Sequence, residues 1–289
     1  MPFAQYGDSG TGATRCRPLF KQRIDFRFLG VVHVGLRLWH LDPGHGCAKK
    51  DHGSQARVTG GTVAINKIVE TMEAAVAGIG DGATVLISGF GNAGSPTALC
   101  HALLDQGARD LVVVANNAGT GREGLAALMD AGRVRRIVCS YPRSGGSVVF
   151  EELYLADKLE LELVPQGILS ERMRAAAAGL GAIYSPVGVG TQLAEGKEER
   201  EIDGKRYVLE KPLKGDLALV EANLADRWGN LTYAKSARNF GPVMAMAADV
   251  TVAQARTIVG LGEIDPEIVV TPGIFVDRVV HVPTNAGGA

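Results

Sequence analysis

Long apolar runs are missing from this chain. No uninterrupted stretch approaches the ~18 residues that a membrane-spanning helix needs. The nearest, Phe28–Leu41, is broken by His33, Arg37 and His40. Basic residues precede it (Arg15, Arg17, Lys21, Arg23), as in a signal or transit peptide, but no small-residue cleavage site follows. Net charge is missing too. Thirty basic residues face thirty-one acidic ones, for a formal charge of −1. That balance leaves no electrostatic footprint for nucleic acid or an anionic membrane, so neither is expected as a partner. Cysteine is scarce, and Cys16, Cys47, Cys100 and Cys139 share no zinc spacing and no CxxC. Cys100 and Cys139 sit in apolar surroundings and read as small buried hydrophobes, which suits a reducing cytoplasm. No internal repeat or low-complexity linker divides the later part of the chain.

Glycine, by contrast, is abundant. The 38 glycines of the 289 residues recur in short clusters after apolar runs. Such placement suggests backbone that turns tightly or approaches a ligand. Residues 1–61 read differently from the rest. They hold four of the six histidines and two of the four cysteines, with scattered Gly, Pro and Arg and no sustained periodicity. An appended, irregular extension is expected there. The group His33, His40, His45 and His52 has spacings of seven, five and seven, which match no usual ligand pattern, so no metal site is expected. Residues 62–283 are treated as one domain and 284–289 as a C-terminal tail.

From Val63 onward the pattern becomes regular. Ile68, Met72, Val76 and Ile79 fall at helical spacing and predict an amphipathic helix over Ile65–Ile79. Strands are predicted at Ala83–Ser88, Leu111–Ala115, Val134–Cys139 and Leu159–Val164. Helices are predicted from Pro96 to about Gln106 and at Gly124–Ala131, Val149–Ala156 and Ile168–Ala178. This alternation marks a mostly parallel open α/β sheet with helices on both faces. After Gly181 the rhythm changes to a mixed α/β part. It begins with a β-hairpin over Glu201–Glu210 around Asp203-Gly204, a favoured two-residue turn. Further strands are expected at Leu217–Val220, Leu231–Tyr233, Val250–Gln254 and Arg278–Val282, with a helix near Val243–Ala248.

Gly89, Gly91 and Gly94 spell GxGxxG between a strand and a helix, the context of a dinucleotide fingerprint. The acidic residue expected about 20 residues on is replaced by Asn116-Asn117, and Pro96 stiffens the start of the helix. Three readings stay open from the residues alone: a dinucleotide site, a tight βα turn without a ligand, or a site for another phosphate-bearing cofactor.

The segment from Asp81 to Pro96, DGATVLISGFGNAGSP, closely resembles the signature of the A subunits of family I CoA-transferases. Asp110–Gly119 resembles that family's second strand and its Asn-Asn loop. Later blocks match in order: Val164–Gly167, Ala194–Glu198, Asp226–Leu231, Ala237–Phe240 and Thr271–Ile274. The resemblance covers about 65 to 282 and leaves residues 1–61 outside. One departure is Ser88, where the family usually has glycine.

The resemblance implies covalent catalysis. A glutamate attacks the acyl-CoA thioester, and CoA is then carried as a glutamyl thioester, with ping-pong kinetics. That glutamate belongs to a partner B subunit, so this chain is expected to hold no catalytic nucleophile and to work in a hetero-oligomer of A and B chains. Glu195 is the local alternative, with a structural glutamate paired to Lys197 or Arg200 as the plainer reading. The CoA-contacting segment would be Ser88, Gly89, Phe90, Gly91, Asn92, Ala93 and Gly94. Asn116, Asn117 and Gln166 would polarise substrate at the carboxyl ends of consecutive strands, or else simply bond their own turns. CoA enters as a substrate, and no cofactor is expected to be permanently bound.

The block Cys139–Arg143 through Phe150–Tyr154 resembles 3-oxoadipate enzymes, with Pro142-Arg143-Ser144 where acetoacetate enzymes have Gly-Glu-Asn. Arg143 would then pair with the second carboxylate of 3-oxoadipate, or remain a solvated loop residue. The expected reaction is CoA exchange between succinyl-CoA and 3-oxoadipate. The alternatives are the same chemistry on acetoacetate or another short 3-oxo acid, and a non-catalytic nucleotide- or sugar-phosphate-binding module.

Overall fold

The computed structural model describes residues 65–283. Apolar runs become strands and the segments between them helices. β1 (Ile68–Val69) and the single turn α1 (Met72–Ala75) precede β2 (Thr84–Ile87), α2 (Thr97–Gln106), β3 (Leu111–Asn117) and α3 (Leu125–Asp130). β4 (Val134–Tyr141), α4 (Val148–Leu155), β5 (Glu160–Leu163) and α5 (Gln166–Ala177) follow. Next come β6 (Ile183–Ser185), β7 (Glu199–Ile202), β8 (Lys205–Glu210), β9 (Gly215–Ala225), α6 (Gly241–Met246), β10 (Ala248–Ile258) and β11 (Arg278–His281).

Eight strands form one sheet in the order β1-β11-β10-β9-β2-β3-β4-β5, and every neighbouring pair is parallel. Strand alternation splits the core in two. Val85, Ile87, Val113, Leu217 and Leu219 pack against Leu99, Leu103, Leu128 and Val149 of α2, α3 and α4. Leu86, Val114, Ala218 and Val220 pack against Ile168, Leu169 and Met173 of α5 and Met244 of α6. Both faces are therefore covered, as an all-parallel sheet requires. A three-stranded antiparallel sheet, β6-β8-β7, carries the expected hairpin, with Asp203 and Gly204 at φ 50° and 74°.

The chain winds outward from β2 through β3, β4 and β5. It then returns to lay β9 on the other side of β2 and continues through β10 and β11. The junction of β2 and β9 is thus the point where winding reverses, and open α/β sheets bind ligands outside the carboxyl ends of strands at such a point. Of the strands expected in a mixed C-terminal part, those at Leu217–Val220, Val250–Gln254 and Arg278–Val282 complete this same sheet as β9, β10 and β11.

Two sequence expectations are corrected. Ile65–Ile79 is not one helix. Ile68 and Val69 pair with Val279 and Val280 of β11, and the Thr71 hydroxyl accepts from the Ala74 N–H to start a helix of four residues. Edge pairing with a distant strand outweighs the local period here. Leu231–Tyr233 is not a strand either, because Leu231 makes only isolated bridges to Ala225 and Thr271. The extension expected at 1–61, with its four histidines, and the tail at 284–289 lie outside the described residues. Among the described residues no helix is long and apolar enough to cross a membrane.

The turn after β9 is organised by one buried carboxylate. Asp226 accepts from the N–H groups of Trp228 (2.9 Å) and Asn230 (3.0 Å) and from Asn230 Nδ2 (2.8 Å). Asn230 Oδ1 in turn accepts from Gly273 N–H at 2.9 Å, joining the turn to the Thr271–Gly273 segment. Asp226→Ala leaves these donors without their acceptor, and urea unfolding should show a loss of about 2–4 kcal/mol.

Candidate active site

β2 ends at Ile87, and the chain makes a narrow loop before α2. Phe90 and Ala93 exchange N–H···O bonds at 3.0 and 3.2 Å, leaving Gly91-Asn92 as a two-residue tip. Ser88 Oγ donates to the Gly94 carbonyl at 2.7 Å and so closes the base of the loop. The same oxygen accepts from Glu221 N–H of β9 at 3.3 Å. The Ser88 hydroxyl therefore serves the loop's own shape. Gly94 has φ 70°, and a Cβ there would stand 2.4 Å from the Ala237 carbonyl oxygen. Only glycine permits this approach.

Most donors at the start of the helix that follows are engaged, and only Ala98 N–H of its first turn has no partner among the described residues. Pro96 has no N–H. Those of Thr97 and Cys100 go to the carbonyls of Ser95 and Pro96, and Leu99 N–H bonds Gln254 Oε1 of β10 at 3.2 Å. A pyrophosphate cradle of the dinucleotide type needs those donors free. The GxGxxG loop lacks that arrangement.

Beside the loop, the carboxyl ends of β3 and β4 and the start of α5 bring three neutral polar side chains together. Asn116 is buried. Its Oδ1 accepts from Ser140 Oγ and from Gln166 Nε2, both at 2.7 Å. These two donors occupy the amide oxygen, and Asn116 Nδ2 has no partner among the described residues. Gln166 opens α5 after β5, so β4 stands between it and Asn116, and Ser140 of that strand completes the trio. The expectation of consecutive strands is corrected accordingly. Ser140 was not singled out from sequence, where a lone serine after an apolar strand carries little signal. Asn117 behaves as a turn residue, its Oδ1 accepting from Gly119 N–H at 3.0 Å.

Two cavities share this wall. One of about 510 Å³ is lined by Phe90, Gly91, Asn116, Asn117, Ser140, Tyr141, Ser144 and Gln166. It carries hydroxyls, amides and two half-exposed aromatic rings, and none of its lining residues is a carboxylate. A smaller cavity of about 220 Å³ lies toward α2 and α3 and is lined by Asn92, Ser95, Thr97, Thr120 and Glu123 among others. Gly89, Gly91 and Asn92 border it, and the N–H groups of Gly91 and Asn92 have no partner among the described residues.

The remaining candidates lie elsewhere. Glu195 is exposed in the turn after Gln192–Ala194 and lines neither cavity. Arg143 also lines neither. Its guanidinium pairs with Glu151 at 2.7 Å with 75% of the side chain exposed, although Tyr141 and Ser144 on either side reach the larger cavity. Burial pushes the Cys100 and Cys139 thiols up to about 12, so neither is a thiolate nucleophile at neutral pH.

The family described as coenzyme A transferase matches residues 69–282. This chain is 60% identical over 218 residues to the A subunit of 3-oxoadipate CoA-transferase from Pseudomonas putida, covering 75% of this chain and 94% of that one. It is 49% identical over 209 residues to the A subunit of succinyl-CoA:3-ketoacid coenzyme A transferase from Xanthomonas campestris pv. campestris, covering 72% and 86%. Among solved structures it resembles an acyl-CoA transferase of E. coli O157:H7 in a thioester complex with CoA. The TM-score is 0.68 at 26% identity, over 78% of this chain and 52% of that one. The chain thus spans about half the length of that solved chain.

The two loop glycines should respond differently to a methyl group. Gly94→Ala meets a backbone carbonyl as well as a left-handed φ, and denaturant unfolding should show about 3 kcal/mol or more of lost stability. Gly91→Ala has the φ of 59° but open space around its Cβ, so only ~1–2 kcal/mol should be lost.

Proposed function

This chain belongs to the coenzyme A transferase family, and we propose that it is the A subunit of a two-subunit enzyme exchanging CoA between succinyl-CoA and 3-oxoadipate. One observation carries this reading. The larger cavity, at the carboxyl end of the sheet, is walled by neutral amides and hydroxyls and has no carboxylate among its lining residues. The chemistry needs a carboxylate nucleophile, and a partner B subunit supplies it from across the cavity's open side. The names of the relatives, each of them an A subunit, agree with this division.

In the proposed cycle the partner's glutamate attacks the thioester carbonyl of succinyl-CoA, expels CoA thiolate and forms a mixed anhydride. The thiolate attacks the glutamyl carbonyl, releases succinate and leaves a glutamyl-CoA thioester. The carboxylate of 3-oxoadipate then reverses both steps and leaves as its CoA ester. Each addition builds an oxyanion that needs fixed donors. Asn116 Nδ2 is held for that role, since Ser140 and Gln166 occupy the other end of its amide. The Ser88–Gly94 loop receives the CoA ester, with the tip N–H groups of Gly91 and Asn92 toward it. Asn117 shapes the adjoining turn. CoA is a substrate, no further cofactor is required, and the enzyme works in the cytoplasm, where Cys100 and Cys139 stay reduced.

The purified chain should show no CoA transfer alone, and activity should appear on mixing with its B subunit in a succinyl-CoA assay. Robust transfer by this chain alone would overturn the division of labour.

Specificity for the longer acid is proposed to rest on Arg143, which would exchange Glu151 for the substrate's second carboxylate. Arg143 pairs at a solvent-screened position, with 75% of its side chain exposed, and such a pair is worth about 1 kcal/mol or less. Arg143→Ala should therefore lower kcat/KM for 3-oxoadipate roughly fivefold while acetoacetate turnover holds or improves. An equal fall for both acids would mark Arg143 as structural. No change for either would leave it a solvated loop residue and favour acetoacetate or another short 3-oxo acid.

A further inference from the structure

We infer that Asn239 is a positioning residue for CoA transfer: its side-chain amide sets the shape of the Gly89–Gly94 loop. The inference rests on the reading of that loop as the receiver of the CoA ester. Asn239 lies 150 residues from Gly89 in sequence, in the turn between Lys235–Arg238 and α6. Its Oδ1 accepts from Gly89 N–H at 3.1 Å and from Phe240 N–H at 2.7 Å. Its Nδ2 donates to the carbonyls of Ala93 and Ser236, both at 2.9 Å. An amide offers two donors and two acceptor lone pairs, and all four are used here. Flipping the amide would face N–H against N–H and oxygen against oxygen, so its orientation is determined by its partners.

The four bonds have a consequence for the loop. Gly89 and Ala93 are its two arms, and Asn239 holds both against one neighbouring segment. The Ala237 carbonyl, two residues earlier, fills the space that a Gly94 side chain would take. Because Gly89 N–H is already bonded to Asn239, the tip N–H groups of Gly91 and Asn92 are left to meet a ligand oxygen. A thioester carbonyl or a CoA phosphate would supply that oxygen. Asn239 thereby decides which amides of the loop face the CoA ester without touching it.

The test uses the enzyme assembled with its B subunit, comparing wild type with Asn239→Ala and Asn239→Asp. The Asp variant is isosteric and keeps the acceptor, but it sets oxygen against the Ala93 and Ser236 carbonyls. It serves as the second variant where Asn239→Ala fails to fold. Gly91→Leu, which obstructs the loop tip and leaves Asn239 intact, tests the CoA reading separately. Both Asn239 variants should show faster amide exchange at residues 88–95 as well as in the 236–240 turn that Asn239 also bonds. KM for succinyl-CoA should rise at least tenfold, and KM for the 3-oxo acid should stay within twofold. Unchanged exchange in an assembled Asn239 variant would overturn the clamp, whatever Gly91→Leu does. Faster exchange with unchanged succinyl-CoA KM, while Gly91→Leu raises it, would overturn the role of Asn239 and leave the CoA reading standing. Unchanged KM in Asn239 variants and Gly91→Leu alike would overturn both.

Discussion

Three register pairs, Val85 with Leu217, Leu86 with Ala218 and Ile87 with Leu219, join strands separated by about 130 residues of chain. They hold the outward-wound half of the sheet, β2 to β5, against the returning half, β9 to β11. Ser88 N–H extends this ladder by bonding the Leu219 carbonyl at 3.0 Å. The glycine loop therefore begins on a strand braced from both sides. Gly215, at the start of β9, lies so close to Leu86 that a Cβ would meet its side chain at 2.6 Å. Without this seam there would be no reversal of winding beside the glycine loop.

The electrostatics of the larger cavity follow from which groups reach it. Under the proposed function, CoA exchange would bring a thioester, a carboxylate acid and a transient oxyanion to this cavity. A fixed cation there would bind the free acids and quench the partner's proposed glutamate, and a fixed anion would repel the acids. Amides and hydroxyls avoid both penalties, provided their dipoles are oriented beforehand. Ser140 and Gln166 do this for Asn116 by occupying its oxygen. Charged groups nearby are paired at the periphery, as with Arg143 and Glu151, where solvent screens them.

The alternation of apolar runs made the parallel sheet legible in the sequence, and Asp203-Gly204 did the same for the hairpin, because both signals are local. Membership of β9, β10 and β11 in the same sheet was not legible, since register with β2 depends on contacts far apart in the chain. Ile68 misled for the same reason: it stands at helical spacing with Met72, Val76 and Ile79, yet together with Val69 it can also pair with β11. At the site, Asn116 and Gln166 were legible through family resemblance, but the bond between their side chains was not. Ser140 and Asn239 were invisible as functional residues, because their roles come from what the fold sets beside them.

Ser88 shows how a departure from the family's usual glycine can be absorbed. Gly89, Gly91 and Gly94 all have positive φ, whereas Ser88 does not, so a side chain at 88 carries no conformational penalty. Ser88 borders the smaller cavity, and its hydroxyl is held at the base of the loop between the Gly94 carbonyl and the Glu221 N–H. A glycine in the same place would leave both groups to seek water in a buried setting, where an unmet hydrogen bond costs about 1–3 kcal/mol. The serine ties the loop to β9 from beneath, while Asn239 holds its two arms from the side. Under the proposed function this rigidity has a chemical purpose: a loop presenting particular N–H groups to a CoA ester gains nothing from freedom, because each alternative shape lowers the fraction of molecules ready to bind.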